Sequence, residues 1–180
     1  MTHIVETFAN PWFSATFVWR EGVLTQIDLT ADSMPPTPPR SSLGPRLEWV
    51  VGHYHALDHA AWPELPLDMD ILTPFARKVL TTLHREVPRG SWTTYGQLAA
   101  RCGCAHGARA VGGVMARNPW PLYLPCHRVL AANMGLGGFG PGLPLKRKLL
   151  ELEGVLAPGH DSGPKAGVRN SSSTASASSA

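Results

Sequence analysis

The sequence lacks the features that would place the protein in a membrane or outside the cell. No apolar run approaches the roughly 20 residues that a membrane helix needs, and the opening residues MTHIVETF lack the basic and apolar blocks of a signal peptide. Cysteine is scarce and odd in number, with only Cys102, Cys104 and Cys126, which argues against a disulfide framework. We therefore expect a cytoplasmic protein that makes no membrane contact and keeps its thiols reduced.

Acidic residues are nearly absent from the central part of the chain. Residues 71–150 contain 11 Lys and Arg but a single acid, Glu86, and so carry a net charge of +10. Residues 1–70 contain 3 Lys and Arg against 9 acids, a net charge of −6. A basic segment of this size is typical of a nucleic-acid-binding domain, although a solvated basic face would give the same count.

Residues 1–70 have the pattern of a small β-rich domain. The runs FSATFVWR and VLTQIDLT flank the turn pair Glu21 and Gly22, which predicts an antiparallel hairpin. The Pro-rich run MPPTPPR predicts a loop, because proline fits neither a sheet interior nor a helix interior. The run LEWVVGHYHAL beyond it fits either a strand or a helix.

Residues 71–156 have the pattern of a mainly helical domain. A helix is predicted behind Thr73, and a second is predicted to begin at Thr94 and end at Gly103. The run GARAVGGVMARN then completes a helix-turn-helix outline, and LPLKRKLLELEG predicts a final helix that stops at Gly154. Residues 157–180 are rich in Ser and Ala, and we expect them to be a disordered tail. The predicted fold class is therefore α/β (α+β).

Cys126 lies between Pro125 and His127 in a segment rich in Pro and Gly, which predicts a loop without regular structure. Such a loop can hold a thiol in a fixed position. A nucleophilic cysteine needs its pKa lowered by nearby Arg or His and a base to take the proton, whereas a structural cysteine needs only apolar packing. Considered alone, Cys126 and its neighbour favour the structural interpretation.

An ordered set of motifs changes this interpretation. The runs SWTTYGQLA, RAVGGVMARNP, PCHRV and LELEG occur in that order. Together they resemble the methylated-DNA–protein-cysteine methyltransferases, also called O6-alkylguanine-DNA alkyltransferases, over about residues 73–156. The resemblance implies a ribonuclease-H-like amino-terminal domain and a winged-helix-like carboxy-terminal domain. It also implies DNA repair by a single transfer of the alkyl group from O6-alkylguanine, without a cofactor; whether O4-alkylthymine is also repaired stays open.

The resemblance assigns a chemical role to each of four residues. Cys126 corresponds to the family's alkyl acceptor, and His127 and Glu153 to the partners that withdraw its proton through a bound water. Tyr95 corresponds to a phenol that donates a hydrogen bond to the guanine ring as the base leaves. These residue types suit their roles, because a thiolate attacks carbon well and a carboxylate supports a protonated imidazole.

The resemblance further implies that the helix over residues 108–116 lies in the minor groove of double-stranded DNA, with the alkylated base rotated out of the stack. Arg109 corresponds to the side chain that enters the stack, and Asn118 to one that braces the turn before the active-site loop. We expect the protein to act as a monomer. The other predicted DNA-contacting residues are Ala110, Gly112, Gly113 and Arg128.

The predicted base pocket consists of Met115, Val129, Phe139 and Gly140, with backbone groups of Val129 and Gly140 bonded to the guanine. The run GGFGPG departs from the family pattern, because Gly140 and Pro141 stand where relatives commonly carry Ser and Gly. The departure leaves the width of the pocket open, and with it the range of alkyl groups accepted.

No metal site is expected. Some relatives hold zinc through cysteines of the amino-terminal domain, but here no cysteine precedes Cys102. The run HYHALDH contains His53, His55 and His59 without a thiolate, which is more typical of a solvated or core cluster than of a metal site. Cys102 and Cys104 lack the CxxC spacing of zinc and redox sites.

Two interpretations from other classes compete with alkyl transfer. A non-catalytic binder of alkylated bases, as in the family's alkyltransferase-like branch, typically lacks the acceptor cysteine, so the intact PCHR run argues against it. A helix-turn-helix regulator would account for the basic segment. It gives no reason for Tyr95, Cys126 and Glu153 to occur together.

Overall fold

A three-stranded antiparallel sheet forms the first part of the computed structural model, which describes residues 2–57 and 62–159. Its strands are β1 (His3–Ala9), β2 (Ser14–Arg20) and β3 (Val23–Thr30), in that order. The hairpin prediction is confirmed: Glu21 and Gly22 both have positive φ, 51° and 83°, as a two-residue turn between twisted strands requires. The sequence patterns did not predict β1, because it buries consecutive residues instead of alternate ones.

The segment after the Pro-rich loop is helical, which decides between the two structures predicted for it. Helix α1 (Gly44–Gly52) has Pro45 in its first turn and packs on β1. The loop before it is fastened by the buried carboxylate of Glu6, which accepts hydrogen bonds from the Arg40 N–H at 2.8 Å and the Ser41 N–H at 3.1 Å. The Pro-rich run is therefore an ordered connection, although it contains no helix or strand.

The predicted helices of the second part are all present. The Thr73 side chain accepts from the Ala76 N–H, and the Thr94 side chain forms a reciprocal capping box with Gln97. Helices α3 (Tyr95–Arg101) and α4 (Ala108–Ala116) pack against each other as a helix-turn-helix. The helices are α2 (Pro74–Glu86), α3 (Tyr95–Arg101), α4 (Ala108–Ala116) and α5 (Leu143–Leu152).

The segment around Cys126 is more regular than predicted. Residues Cys126–Arg128 form a single 3-10 turn that leads directly into strand β5 (Val129–Leu130). This strand pairs in parallel with β4 (Thr93–Thr94), the two residues that precede α3. The prediction of an irregular loop was wrong, because the local sequence does not show that these residues pair with a distant strand.

The two parts of the fold share one hydrophobic core. The indole N–H of the fully buried Trp120 donates to the Leu24 carbonyl at 2.9 Å, and the Ile27 N–H donates to the Pro119 carbonyl at 2.8 Å. The mixed α/β class is confirmed, while the boundary at residue 70 stays a prediction. Most of the predicted tail, residues 160–180, lies outside the described residues. Within the described ranges, no helix is both long and apolar enough to cross a membrane.

Candidate active site and DNA interface

Cys126 lies at a small cavity of about 100 Å3 whose walls come from distant parts of the chain. Its side chain is nearly buried, with 5% of the residue surface exposed. Helices α3 and α4, the 3-10 turn and the loop before α5 all contribute to the walls. The lining residues are Tyr95, Gly112, Met115, Ala116, Cys126, Gly138, Phe139 and Gly140.

The thiol is held by Asn118, which also ties the end of α4 to the active-site segment. The Asn118 amide donates to the Leu124 carbonyl at 2.7 Å, and its oxygen accepts from the Trp120 N–H at 3.1 Å. Burial raises the pKa of the Cys126 thiol, against the opposing effects of a hydrogen bond from Asn118 and the charge of Lys146. The cysteine therefore rests as a thiol and needs a base to become a nucleophile.

His127, the residue after Cys126, forms a buried pair with Glu153. The His127 Nε2–H donates to Glu153 Oε1 at 2.9 Å, and both side chains are fully buried. Burial lowers the pKa of His127 against the charge of Glu153, so the imidazole is neutral near pH 7. Its other nitrogen, Nδ1, is buried and has no hydrogen-bond partner among the described residues. This free lone pair is able to take up a proton.

Arg128 belongs to this pair and not to the surface. Its guanidinium donates to both oxygens of Glu153, at 2.8 Å and 2.9 Å, and to the Val87 carbonyl at 2.9 Å. Only 9% of the residue is exposed. The guanidinium is therefore hydrogen-bonded inside the protein, where it holds Glu153, and the DNA contact of Arg128 stays a prediction.

Two residues of the network were not predicted from the sequence. The Tyr54 hydroxyl donates to Glu153 Oε1 at 2.5 Å and lies 3.5 Å from His127 Nε2. The Arg89 guanidinium lies over the Tyr54 ring at 4.6 Å, with one nitrogen 3.6 Å from Glu153 Oε1. Tyr54 falls within HYHALDH, but a lone aromatic residue is far more often part of a core than of a site.

Tyr95 stands across the cavity, where its hydroxyl donates to the Gly138 carbonyl at 3.4 Å. Burial raises its pKa, so the phenol keeps its proton. Gly137 makes this position possible: it has a φ of +67°, and a Cβ there would lie 2.8 Å from the Tyr95 hydroxyl. A side chain at residue 137 would therefore displace the phenol.

Lys146 stabilises one wall of the cavity and was also not predicted from the sequence. It is fully buried, and its ammonium donates to the Val129 carbonyl at 2.6 Å and to the Gly138 carbonyl at 3.2 Å. Burial lowers its pKa to about 8. Val129, predicted to contact the base, is buried and not among the cavity-lining residues, and its carbonyl is engaged by Lys146.

Helix α4 presents the predicted DNA-contacting residues on its outer side. Arg109 and Ala110 are exposed, and Gly112 and Gly113 are half-buried. Val111 and the rest of the inner side pack into the core. The outer side therefore consists of small residues, with Arg109 at its start and the Arg117 guanidinium close to Gly113 at its end. Small residues permit close approach to a partner.

Two histidines of HYHALDH, His53 and His55, serve as packing partners. His53 stacks on Trp49 at 4.8 Å, and His55 packs on Trp12 at 5.3 Å between ring centroids. His59 lies outside the described residues. In the described part of the chain, no group of three or more His, Cys, Asp or Glu residues is arranged to hold a metal ion.

Residues 74–155 match the family profile described as the DNA-binding domain of 6-O-methylguanine DNA methyltransferase. The crystal structure of O6-methylguanine-DNA methyltransferase from the archaeon Pyrococcus kodakaraensis has a TM-score of 0.67 and 31% identity, covering 86% of this chain and 100% of that one. The chain belongs to the O6-methylguanine-DNA methyltransferase family.

Other members of this family match at similar levels. The Mycobacterium tuberculosis protein OGT, solved in complex with DNA, has a TM-score of 0.66 and 31% identity and covers 82% of this chain and 90% of that one. The methylated-DNA–protein-cysteine methyltransferase of Thermococcus sibiricus is 47% identical over 89 residues, 49% of each chain. The human protein of that name is 38% identical over 109 residues, 59% of this chain and 53% of its own. The chain thus aligns with about half the length of these curated relatives.

Proposed function

We propose that this protein repairs DNA by moving the alkyl group of O6-alkylguanine permanently to Cys126. The observation that carries the proposal is one cavity lined by the Cys126 thiol and the protonated Tyr95 phenol, with a buried imidazole that has a free nitrogen at the next residue, His127. Thiol, phenol and base are the three groups that such a transfer needs. Membership of the family supports the assignment.

The proposed reaction begins with the proton of the Cys126 thiol, which passes through a water molecule to Nδ1 of His127. Glu153 stabilises the resulting imidazolium. The thiolate then attacks the alkyl carbon, so that a sulfur–carbon bond forms as the carbon–oxygen bond breaks. The electron pair of the broken bond stays on the guanine, where the Tyr95 phenol donates a hydrogen bond to the ring.

The guanine then takes up a proton from water, and His127 returns its proton to the solvent, so the products are an intact guanine and a thioether at Cys126. A thioether is a very poor leaving group, so each molecule acts once. The proposed chemistry uses protein side chains and one water, without a cofactor. It also requires reduced thiols, and on that ground we place the protein in the cytoplasm.

Double-stranded DNA is the proposed partner, bound by one copy of the chain. The outer side of α4 would enter the minor groove, where small residues allow the backbone to come close. The alkylated nucleotide would rotate into the cavity at Cys126, because a base inside the stack is out of reach. Arg109, exposed at the start of α4, would then fill the space that the base leaves.

The deciding experiment weighs the protein after incubation with duplex DNA that contains O6-methylguanine. We expect the intact protein to gain the mass of one methylene group, and peptide mapping to place it at Cys126. Unmodified duplex DNA serves as the control. An unchanged mass under conditions where the DNA is bound would refute the proposal.

Arg109→Ala should slow repair of duplex DNA by about tenfold or more, because flipping must overcome a few kcal/mol of lost stacking and pairing. Reaction with free O6-benzylguanine requires no flipping and should keep its rate. Arg20→Ala, which removes an exposed cation from β2, is the matched control. Equal slowing on duplex and free base would contradict the role of Arg109.

Gly140→Ser should change the alkyl-group preference without changing stability. A Cβ at Gly140 would have no heavy atom within 4 Å, and the residue lines the cavity. We therefore expect benzyl transfer to slow more than methyl transfer, at an unchanged melting temperature. Rates on both substrates measure this, with Gly52→Ser in α1 as the control, where a Cβ also meets open space. An unchanged benzyl-to-methyl ratio would show that Gly140 does not set the width of the cavity.

A further inference from the structure

We infer that Tyr54 is a positioning residue. Through it, the amino-terminal part of the chain orients the His127–Glu153 pair and weakens the binding of the transferred proton by His127. The inference rests on the proposed function, because it concerns how the proposed base is held. It assigns a chemical contribution to a region in which the sequence motifs placed none.

The contact that carries this inference is short and connects opposite parts of the chain. Tyr54 lies in a 3-10 turn (Tyr54–Ala56) after α1, whereas Glu153 directly follows α5, 99 residues later. The Tyr54 hydroxyl donates to Glu153 Oε1 at 2.5 Å, the same oxygen that accepts from His127 Nε2 at 2.9 Å. One carboxylate oxygen is thus shared by the phenol and the imidazole.

The hydroxyl group does something that packing alone would not require. The Tyr54 ring is 1% exposed and makes an edge contact with Phe13 at 5.4 Å. A phenylalanine would fill the same space and keep that contact. A buried hydroxyl, by contrast, costs free energy unless it is hydrogen-bonded, and Glu153 is its strongest partner here. The structure therefore assigns the hydroxyl to the carboxylate and the ring to the core.

Four charged or titratable groups face this hydroxyl. Glu153 accepts a hydrogen bond from it, and His127 Nε2 lies 3.5 Å from it. Arg128 donates to both oxygens of Glu153, and the Arg89 guanidinium lies over the Tyr54 ring. The charges and hydrogen bonds of Arg128 and His127 hold the pKa of Glu153 well below its ordinary value. The carboxylate therefore stays ionised, and the phenol affects only how its negative charge is distributed. A donor to Oε1 draws negative charge away from the imidazole. Without it, more of that charge would stabilise protonated His127, and the pKa of His127 would rise.

Tyr54→Phe tests this through the pH dependence of alkyl transfer. We expect the rate with free O6-benzylguanine near neutral pH to fall about tenfold, as for the loss of one hydrogen bond to a charged group. The acid limb of the pH–rate profile should move to higher pH, because the imidazole must be neutral to accept the proton. The affinity for duplex DNA should stay the same, since Tyr54 is 1% exposed and has no surface with which to contact DNA.

Tyr123→Phe is the matched control, because it also removes a hydroxyl from the region where the two parts meet. That hydroxyl accepts from the Leu65 N–H at 3.4 Å. Thermal unfolding of both variants reports on the fold. Slower transfer with the acid limb in place would assign Tyr54 a structural role and overturn the inference, as would a profile identical to that of wild type. Failure of the wild-type protein to transfer at all would instead refute the proposed function.

Discussion

Cys126→Ala should lose all alkyl transfer and keep its affinity for duplex DNA. The Cys126 sulfur is the thiol that lines the cavity and forms the new sulfur–carbon bond in the proposed reaction, whereas the outer side of α4 does not depend on it. Intact-protein mass after incubation with methylated duplex measures transfer, and a mobility-shift titration measures binding. This pair of results separates acceptor chemistry from recognition of DNA.

The other two cysteines provide the controls for this prediction. Cys102 is buried and Cys104 is exposed, and both are free thiols. Neither lines the cavity at Cys126, so Cys102→Ala and Cys104→Ala should transfer at the wild-type rate. A methyl group found on either of them, or residual transfer in Cys126→Ala, would mean that the acceptor has been misassigned.

Glu153→Gln should be the most destabilising conservative change in the site. Burial by itself raises the pKa of Glu153, but the charges and hydrogen bonds of Arg128 and His127 outweigh it and hold the pKa well below its ordinary value. Glutamine leaves the Arg128 charge buried without a counter-charge, and its amide nitrogen would face N–H donors. We expect the free energy of unfolding to fall by about 3–5 kcal/mol, with transfer largely lost.

The pH dependence of stability in acid provides a second test of this prediction. A carboxylate with a depressed folded-state pKa stabilises the protein above its ordinary pKa, and the stabilisation is lost as the pH falls toward the folded-state value. Urea titrations across this range should therefore show a steeper loss of stability in wild type than in Glu153→Gln. Asp70→Asn is the control, because the Asp70 side chain is 95% exposed and pairs with the half-exposed Arg77, a pair worth about 1 kcal/mol or less. Parallel slopes in wild type and Glu153→Gln would contradict the prediction.

The sequence predicted most of what is local. The hairpin at Glu21 and Gly22 and the capped starts at Thr73 and Thr94 follow from short-range chemistry, and the structure has each of them. Motif resemblance, and not local chemistry, led to the cavity, because nothing in the spacing of Tyr95 and Cys126 says that the two side chains meet.

What the sequence did not predict depends on long-range contacts. Arginine is a residue type common in DNA-binding sites, so the sequence around Arg128 suggests a surface role. The structure shows instead that its guanidinium pairs with the buried carboxylate of Glu153. Tyr54 and Lys146 have the same difficulty: a buried phenol and a buried ammonium are recognised by the groups that surround them. Strand β5 was missed since its partner β4 lies more than thirty residues earlier.

The short parallel pair of β4 and β5 has a consequence for substrates that carry no DNA. Thr93 pairs with Val129 and Thr94 with Leu130, so Tyr95 and Cys126 are each anchored next to the same two-residue ladder. Phenol and thiol are spaced by the backbone before any substrate arrives. Such preorganisation removes the need to spend binding free energy on assembling the cavity. A small alkylated base that is not part of a DNA duplex therefore binds in a cavity where the phenol and the thiol are already in position.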